Sequence, residues 1–435
     1  MHAAEMTIFA LSSGAPPAGV AVVRLSGAAS FGALERLTDR PLPKARQAVL
    51  RKIIGRSGQI LDQALVFAFP GPQSFTGEDS VELHLHGSRA VVSAVLVELA
   101  QMDGLRLAEA GEFSRRAFEN GRIDLVEAEG LSELISAETE MQRRLAVEQS
   151  FGHQSDLYNG WATRLTHARA MIEAELDFAD EDDVPGSVAD RVLADIAALQ
   201  REVSAHLSAA RGGEIIRDGY KIAIVGAPNA GKSSLLNTLA DREVAIVTEV
   251  AGTTRDIIQV DLDVDGYLVR LFDTAGLRET DDLVEQEGVR RARALMEQAD
   301  LIILLEEIDS LVQRPHLPSS KDVLHLGSKV DIHAPSELYD ICISTKSGAG
   351  LPELRAKILE KVQGVWSGSV VPVRQRQLQL LENTSSCINE ALSADQLEFR
   401  AEHLRSAAAS LGRVTGRVDV EQLLDVIFSQ FCVGK

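Results

Sequence analysis

Along the first 120 or so residues, apolar and polar positions alternate in short runs separated by Gly/Pro turns. Strand-like runs fall at Val20–Leu25, Val49–Ile54, Ala64–Phe69 and Ser80–Leu85, and "PGPQSFTGED" is a turn-rich break between the last two. A helical pattern follows over Ser88–Ala100. From Ile123 to Leu207 the period changes: apolar residues such as Leu131, Leu134, Ile135, Ala168, Ile172 and Leu176 recur at helical spacing, with almost no proline. Strand and helix then alternate from Lys221 to about Val362. Helical periodicity returns at Arg374–Leu392, Ala401–Leu411 and Val420–Phe431. The economical reading is an α/β domain inserted into a helical one. It predicts domains at 1–120, 121–215, 216–365 and 366–435, the second and fourth being two parts of one helical domain.

Composition narrows the classes. At 435 residues the chain exceeds one ordinary core and predicts roughly two to four domains. Hydrophobic residues at 45% and charged residues at 25% suit a soluble globular protein, and no run reaches the ~18 apolar residues of a membrane span. Glu5 precedes only a short apolar run, Met6 to Leu11, without a basic flank, so no signal peptide is expected. Cys342, Cys387 and Cys432 are odd in number and far apart, which predicts neither a disulfide framework nor a metal pair and points to the reducing cytoplasm. A net charge of -20 argues against non-specific coating of nucleic acid, so any RNA contact is local. The acidic stretch Glu173 to Asp183 reads as a solvated helix end or linker.

The chemistry is concentrated after Tyr220. An apolar strand, Ile222–Val225, leads directly into Gly226-x4-Gly231-Lys232-Ser233 and then a helix. This is the context of a P-loop: backbone N–H groups of Asn229 to Ser234 wrap phosphates, Lys232 reaches the β/γ oxygens and Ser233 binds Mg²⁺. "AGTTRD" supplies Thr253 and Thr254 at the switch I position, Thr254 being the hydroxyl placed to sense Mg²⁺ and γ-phosphate. "LFDTAG" supplies Asp273, Thr274, Ala275 and Gly276, with Asp273 the carboxylate behind Mg²⁺ and the Gly276 N–H facing γ-phosphate. "LGSKVD" offers Lys329 and Asp331 to the base, and "ISTKSGAG" offers Ser344, Thr345 and Lys346 as its supporting loop. A carboxylate accepts from the two guanine-edge donors and meets no matching pair on adenine, so GTP is favoured over ATP. Ser328 stands where an asparagine usually braces the base and P-loop, which predicts weaker GTP affinity. Leu277 stands where many GTPases carry a water-orienting glutamine. Spacing alone does not rank the acids downstream, Glu279, Asp281, Asp282 and Glu285.

These motifs, together with "VVRLSG", "DSVELHLHG", "GEFSRRAFENGRIDLVEAEGL", "LDFADEDD" and "FCVGK", make the whole chain resemble the tRNA-modification GTPases of the MnmE (TrmE) family. The resemblance implies an N-terminal α/β domain that dimerises and binds a one-carbon tetrahydrofolate (5-formyl or 5,10-methylene). It also implies a helical domain and an inserted Ras-like P-loop G domain with a mixed, mainly parallel sheet. It puts folate contacts at Arg24, Glu82, Arg122 and Lys435, the third with arginine where the family often has lysine. It places K⁺ ligands at Asn229, Thr248, Val250 and Thr253, where a cation neutralises developing charge as an arginine finger would. It selects Glu285 as the residue that orients water. It implies a homodimer, a flavoprotein partner (MnmG, GidA) carrying FAD, and addition of an aminomethyl or carboxymethylaminomethyl group to C5 of the wobble uridine of certain tRNAs. His84 and His86 share a strand face but lack a third ligand, so a structural role outweighs a metal site. Cys432 matches the family's terminal cysteine, with a buried small hydrophobe as its plainer role. The competing reading is a ribosome-assembly GTPase of the Era or Der kind, but no GXXG clamp or second G domain follows. A folate scaffold with a dead nucleotide site is disfavoured by the intact Lys232, Ser233 and Asp273.

Overall fold

The structure, a computed structural model, describes residues 6–177, 188–227, 229–242, 244–246, 258–273, 293–309, 317–364, 373–418, 421–429, 431–432 and 434. The chain divides into two compact units: Met1–Ser132 with Gln149–Arg164 and Ala408–Lys435, and Glu133–Glu148 with Leu165–Ala407. No described helix is long and apolar enough to cross a membrane.

The first unit is built on six strands: β1 (Thr7–Leu11), β2 (Ala18–Ser26), β3 (Val49–Ile54), β4 (Ile60–Phe69), β5 (Ser80–Gly87) and β6 (Leu105–Leu107), in the order β3-β4-β5-β2-β1-β6. Two helices, α1 (Ser30–Thr38) and α2 (Arg89–Ala100), contribute Leu34, Leu37, Val95 and Leu99 to a core with Val23, Leu25, Val66, Leu83 and Leu85. Alternation along β5 leaves Glu82 and His84 half-exposed and His86 exposed on the face opposite this core. The sheet therefore presents one polar-aromatic face. Ser88 caps α2 by accepting from the Val91 N–H at 3.1 Å. α3 (Glu112–Glu119) begins at Gly111, whose φ of 69° and approach to Phe428 O require glycine: a Cβ would lie 2.3 Å from that carbonyl.

The long helical pattern resolves into α4 (Leu125–Ser136), α5 (Glu140–Ser150), α6 (His153–Asp177) and α7 (Val188–Asp218). Part of the acidic stretch, 178–183, lies outside the described residues. The second unit then carries β7 (Tyr220–Val225), α8 (Lys232–Arg242), β8 (Val244–Ile246), β9 (Ile258–Val264), β10 (Tyr267–Asp273), a helix α9 described over 293–298, β11 (Leu301–Glu307), β12 (Asp322–Ser328), β13 (Ile341–Ile343) and α10 (Leu351–Gly364). Its seven strands run in the order β13-β12-β11-β7-β10-β9-β8. The pairs β13–β12, β12–β11, β11–β7 and β7–β10 are parallel, and β9 is antiparallel to both β10 and β8. Ile222–Val225 of β7 and Leu301–Leu305 of β11 are continuous apolar runs, as strands covered on both faces must be. Met141 and Leu145 of α5 join Val269, Leu271, Leu301 and Ile303 in this core.

The remaining helices are α11 (Gln375–Ser393), α12 (Leu397–Thr415) and α13 (Glu421–Ser429). Within the first unit, Leu424, Ile427, Phe428 and Phe431 pack with Leu125 and Ala128.

Candidate functional site

The phosphate loop joins the C-terminal end of β7 to the N-terminus of α8, at the edge where parallel strands direct a helix dipole toward an anion. Gly226 sits so close to β11 that a Cβ would lie 2.1 Å from Leu305 O. Asn229 (φ 63°) and Gly231 (φ 101°) turn the backbone through the left-handed region. Ala230 is buried, while Asn229, Ser233 and Ser234 are exposed. The Lys232 ammonium folds back onto its own loop and donates to Gly226 O at 2.7 Å and Ala227 O at 2.8 Å. Burial pulls its pKa below the ordinary lysine value against the opposing charge of Asp273. It is thus a cation held by neutral carbonyls, and phosphate oxygens would satisfy it better.

Asp273 ends β10 and is 1% exposed, and its Oδ2 accepts from Ser233 Oγ at 2.8 Å. One hydroxyl and one carboxylate thus meet at the mouth of the phosphate loop. They are hard oxygen donors, which suits Mg²⁺.

At the far end of the same sheet edge, Asp331 Oδ1 accepts from Ser344 Oγ at 2.7 Å, a bond that holds this exposed carboxyl below its ordinary pKa. Ser344 Oγ also accepts from the Ser347 N–H at 3.1 Å, and Ser344 N donates to Ala349 O at 3.0 Å. Thr345 and Lys346 lie within this closed loop. Thr248, Val250, Thr253, Thr254, Thr274, Ala275, Gly276 and Glu285 lie outside the described residues.

In the first unit, Arg24 and Glu82 are direct cross-strand neighbours on β2 and β5. Arg24 Nε and Nη2 both donate to Glu82 Oε1, at 3.1 and 2.9 Å, and His84 Nε2 lies 3.2 Å from Glu82 Oε2. The Arg24 guanidinium stands 5.6 Å from the Phe75 ring centre and 5.9 Å from that of Phe113. Phe67 stacks at a tilt on His84, 4.8 Å between centres. Phe75 is exposed beside this ion pair, whereas Phe113 is fully buried. Arg122 is exposed, and its Cγ lies 3.3 Å from where a Cβ on Gly77 would stand, in the loop that carries Phe75. His86 pairs instead with Asp62 at 2.6 Å, and the described residues contain no cluster of His, Cys, Asp and Glu able to hold a metal ion.

The segment after α13 returns to this sheet. Cys432 is exposed, its carbonyl accepts from Gly111 N at 3.4 Å, and the Gly434 carbonyl accepts from Ser12 Oγ at 2.7 Å. Leu11 and Val23 are paired one register position from Ala10 and Arg24, so Gly434 lies beside the strand pair that carries Arg24. Lys435 is outside the described residues. Sequence reasoning passed over Phe75, Phe113 and Ser12. Phe113 lies inside the quoted string "GEFSRRAF", but its ring reaches Arg24 only through tertiary packing.

A mainly parallel sheet, a glycine loop between strand and helix, a Ser–Asp pair beneath it and a carboxylate-bearing base loop together define a P-loop GTPase. A family model described as "MnmE helical domain" matches residues 125–432, and one described as "GTP-binding protein TrmE N-terminus" matches residues 7–122. Curated proteins named "tRNA modification GTPase MnmE" from Sinorhizobium medicae and Agrobacterium fabrum are each 57% identical, covering 99% of this chain and 99% of their own. One from Rhizobium etli is 57% identical over the same shares. The chain belongs to the MnmE family of GTPases.

Proposed function

We propose that this chain binds and hydrolyses GTP to drive modification of tRNA. With a flavoprotein partner that carries FAD, it adds an aminomethyl or carboxymethylaminomethyl group to C5 of the wobble uridine of certain tRNAs, from a tetrahydrofolate one-carbon unit. The observation that carries the reading is the pairing of Ser233 with Asp273 at the mouth of a phosphate loop whose Lys232 donates to two backbone carbonyls.

In the nucleotide site, Lys232 exchanges two backbone carbonyls for β/γ-phosphate oxygens, and the N–H groups of residues 229–234 follow the phosphate chain. Ser233 and Thr254 are the residues to hold Mg²⁺, with Asp273 orienting Ser233. When bound there, Mg²⁺ would supply neutralisation of phosphate charge. Asn229, Thr248, Val250 and Thr253 are the residues for K⁺, and Asn229 is exposed on its left-handed turn in the glycine loop. A second G domain, met through the switch faces of a homodimer, completes this site. Glu285 holds the attacking water in line. Asp331 accepts from the guanine N1–H and amino group while Ser344 fixes its carboxylate.

In the first unit, the half-buried Arg24 and Glu82, with the exposed Phe75 beside them, suit a flat heterocycle with N–H donors and a carboxylate tail. The exposed Phe75 ring stacks on the heterocycle, Glu82 accepts, and Arg24, Arg122 and Lys435 attract the tail. The tRNA and the flavoprotein complete the reaction. A cytoplasmic site of action follows from these substrates.

The test of the GTPase half is phosphate release in K⁺ and in Na⁺ across a range of protein concentration. Turnover that requires K⁺ and rises with concentration supports the reading, and equal, concentration-independent turnover in both salts overturns it.

A further inference from the structure

The base-recognition loop of this chain lacks its usual brace, and the place where the brace would start holds an unsatisfied atom. Ser328, the last residue of β12, is 6% exposed, and its hydroxyl has no hydrogen-bond partner among the described residues. A serine hydroxyl is too short to span from the strand end to neighbouring loops as a side-chain amide would. The next residue, Lys329, has φ 65°, a conformation a lysine keeps only where its surroundings fix it.

Those surroundings are an ion cluster one strand away. Glu307 ends β11 and is the register partner of Ser328. Its Oε2 meets Lys329 Nζ at 2.5 Å, and its Oε1 lies 3.3 Å from His333 Nε2. The other ring nitrogen, His333 Nδ1, faces Asp309 Oδ2 at 3.6 Å. The backbone between these two contacts is closed on itself: Ile332 N and His333 N both donate to Lys329 O, at 3.0 and 3.1 Å, and Val330 N donates to Ile343 O at 3.1 Å. Residues 329–333 are therefore one turn gripped at both ends by a single carboxylate, with Asp331 at its centre.

We infer that Glu307, working through Lys329 and His333, is the positioning residue that replaces the missing amide brace and aims Asp331 at the guanine edge. This rests on the reading of Asp331 as the guanine acceptor. Because the clamp acts on the placement of one carboxylate, its loss bears on discrimination between bases. Guanine offers Asp331 two donors, and hypoxanthine, which lacks the amino group, offers one. A displaced carboxylate forfeits the second bond first. The charged pairing also lowers the Glu307 pKa, chiefly through the bond from Lys329, so the carboxylate stays ionised wherever nucleotide is bound near neutral pH.

The experiment titrates the full-length protein with fluorescent GDP, IDP and xanthosine diphosphate, in wild type and in Glu307→Gln, His333→Ala, Ser328→Asn, Asp331→Asn and the Glu307→Gln/Ser328→Asn double variant. Thermal melts accompany each to show that it folds. Glu307→Gln should weaken GDP by about tenfold and IDP by about threefold or less, narrowing the ratio between them, the scale of one charge-assisted bond. His333→Ala should do the same more weakly. Ser328→Asn should restore the ratio in the double variant, a rescue that a general loss of folding would not produce. If Asp331→Asn shifts preference toward xanthosine diphosphate while Glu307→Gln and His333→Ala leave the GDP/IDP ratio unchanged, or lower both affinities equally without rescue, the clamp is wrong and the base site stands. If Asp331→Asn leaves base preference unchanged, the base-site reading has failed, and the clamp falls with it.

Discussion

Ser12 Oγ donates a 2.7 Å hydrogen bond to the carbonyl of Gly434, joining the strand beside Arg24 to a residue 422 positions away. Gly434 fits because it has no side chain: its φ is 96°, and a Cβ would stand 2.1 Å from Leu11 O. The contact makes a folate pocket shared between distant segments of sequence physically reasonable. Deleting Cys432 to Lys435 should therefore weaken tetrahydrofolate binding at least tenfold and abolish tRNA modification, with GTP turnover unchanged. Gly434→Ala should do so in part, through steric expulsion of the tail. Side-by-side folate titration and phosphate release check this, and unchanged folate affinity in the truncated protein would dissolve the shared pocket.

The Ser233–Asp273 pair predicts a Mg²⁺-specific defect. Ser233→Ala removes one of the two residues proposed to hold Mg²⁺ and leaves Lys232 and the loop amides in place. GDP binding without Mg²⁺ should stay within about threefold of wild type, while Mg²⁺-dependent hydrolysis falls ~10²-fold or more. Mg²⁺ titrations of turnover and binding separate the two effects, and an equal loss with and without the ion would mean that the loop itself was damaged.

Glu285 is proposed as the residue that orders water, so its loss should appear in the chemical step. Glu285→Ala should keep nucleotide affinity near normal and lower single-turnover hydrolysis ~10²-fold or more. Asp282→Ala is the control. The reverse pattern would move the role to Asp282.

His206, 9% exposed on α7, gives the second unit an acid sensitivity. Burial pushes its pKa from 6.5 down to about 4, so the folded state holds it neutral. A depressed histidine binds protons more readily when unfolded. Its contribution is complete above pH 6.5 and is lost as pH falls toward about 4. The 2.5-unit difference corresponds to about 3 kcal/mol at most. Urea unfolding at pH 7 and pH 5 should show the loss, and His206→Gln should flatten it; an unchanged slope in the variant would assign the acid sensitivity elsewhere.

The nucleotide-binding half of the fold was legible because its signals are local. A glycine loop between an apolar strand and a helix needs only neighbouring residues, and β7, Lys232 and Ser233 stand where the pattern put them. The strands Val20–Leu25, Val49–Ile54 and Ser80–Leu85 were likewise visible as alternation; β2 adds two residues at its start and one at its end, and β5 adds two at its end. Short elements escaped: β1, β6 and α3 are too brief, or too polar in composition, to show a period. The aromatic rings near Arg24 escaped for a different reason. Phe75 lies in a loop and Phe113 on α3, and only the packing of those segments against β2 brings the rings to the guanidinium. The clamp at Glu307 was hidden in the same way, since Glu307 and Lys329 are 22 positions apart and meet through a parallel strand pairing.

The central claim is that the GTP site on this chain drives modification of tRNA. It is tested most directly by mass spectrometry of tRNA nucleosides from cells that lack the protein and are complemented either with wild type or with Lys232→Ala, which removes the phosphate-binding ammonium. The account predicts that the C5-modified wobble uridine disappears without the protein, returns with wild type and stays absent with Lys232→Ala. Normal modified uridine in the deletion strain, or full restoration by Lys232→Ala, would contradict it.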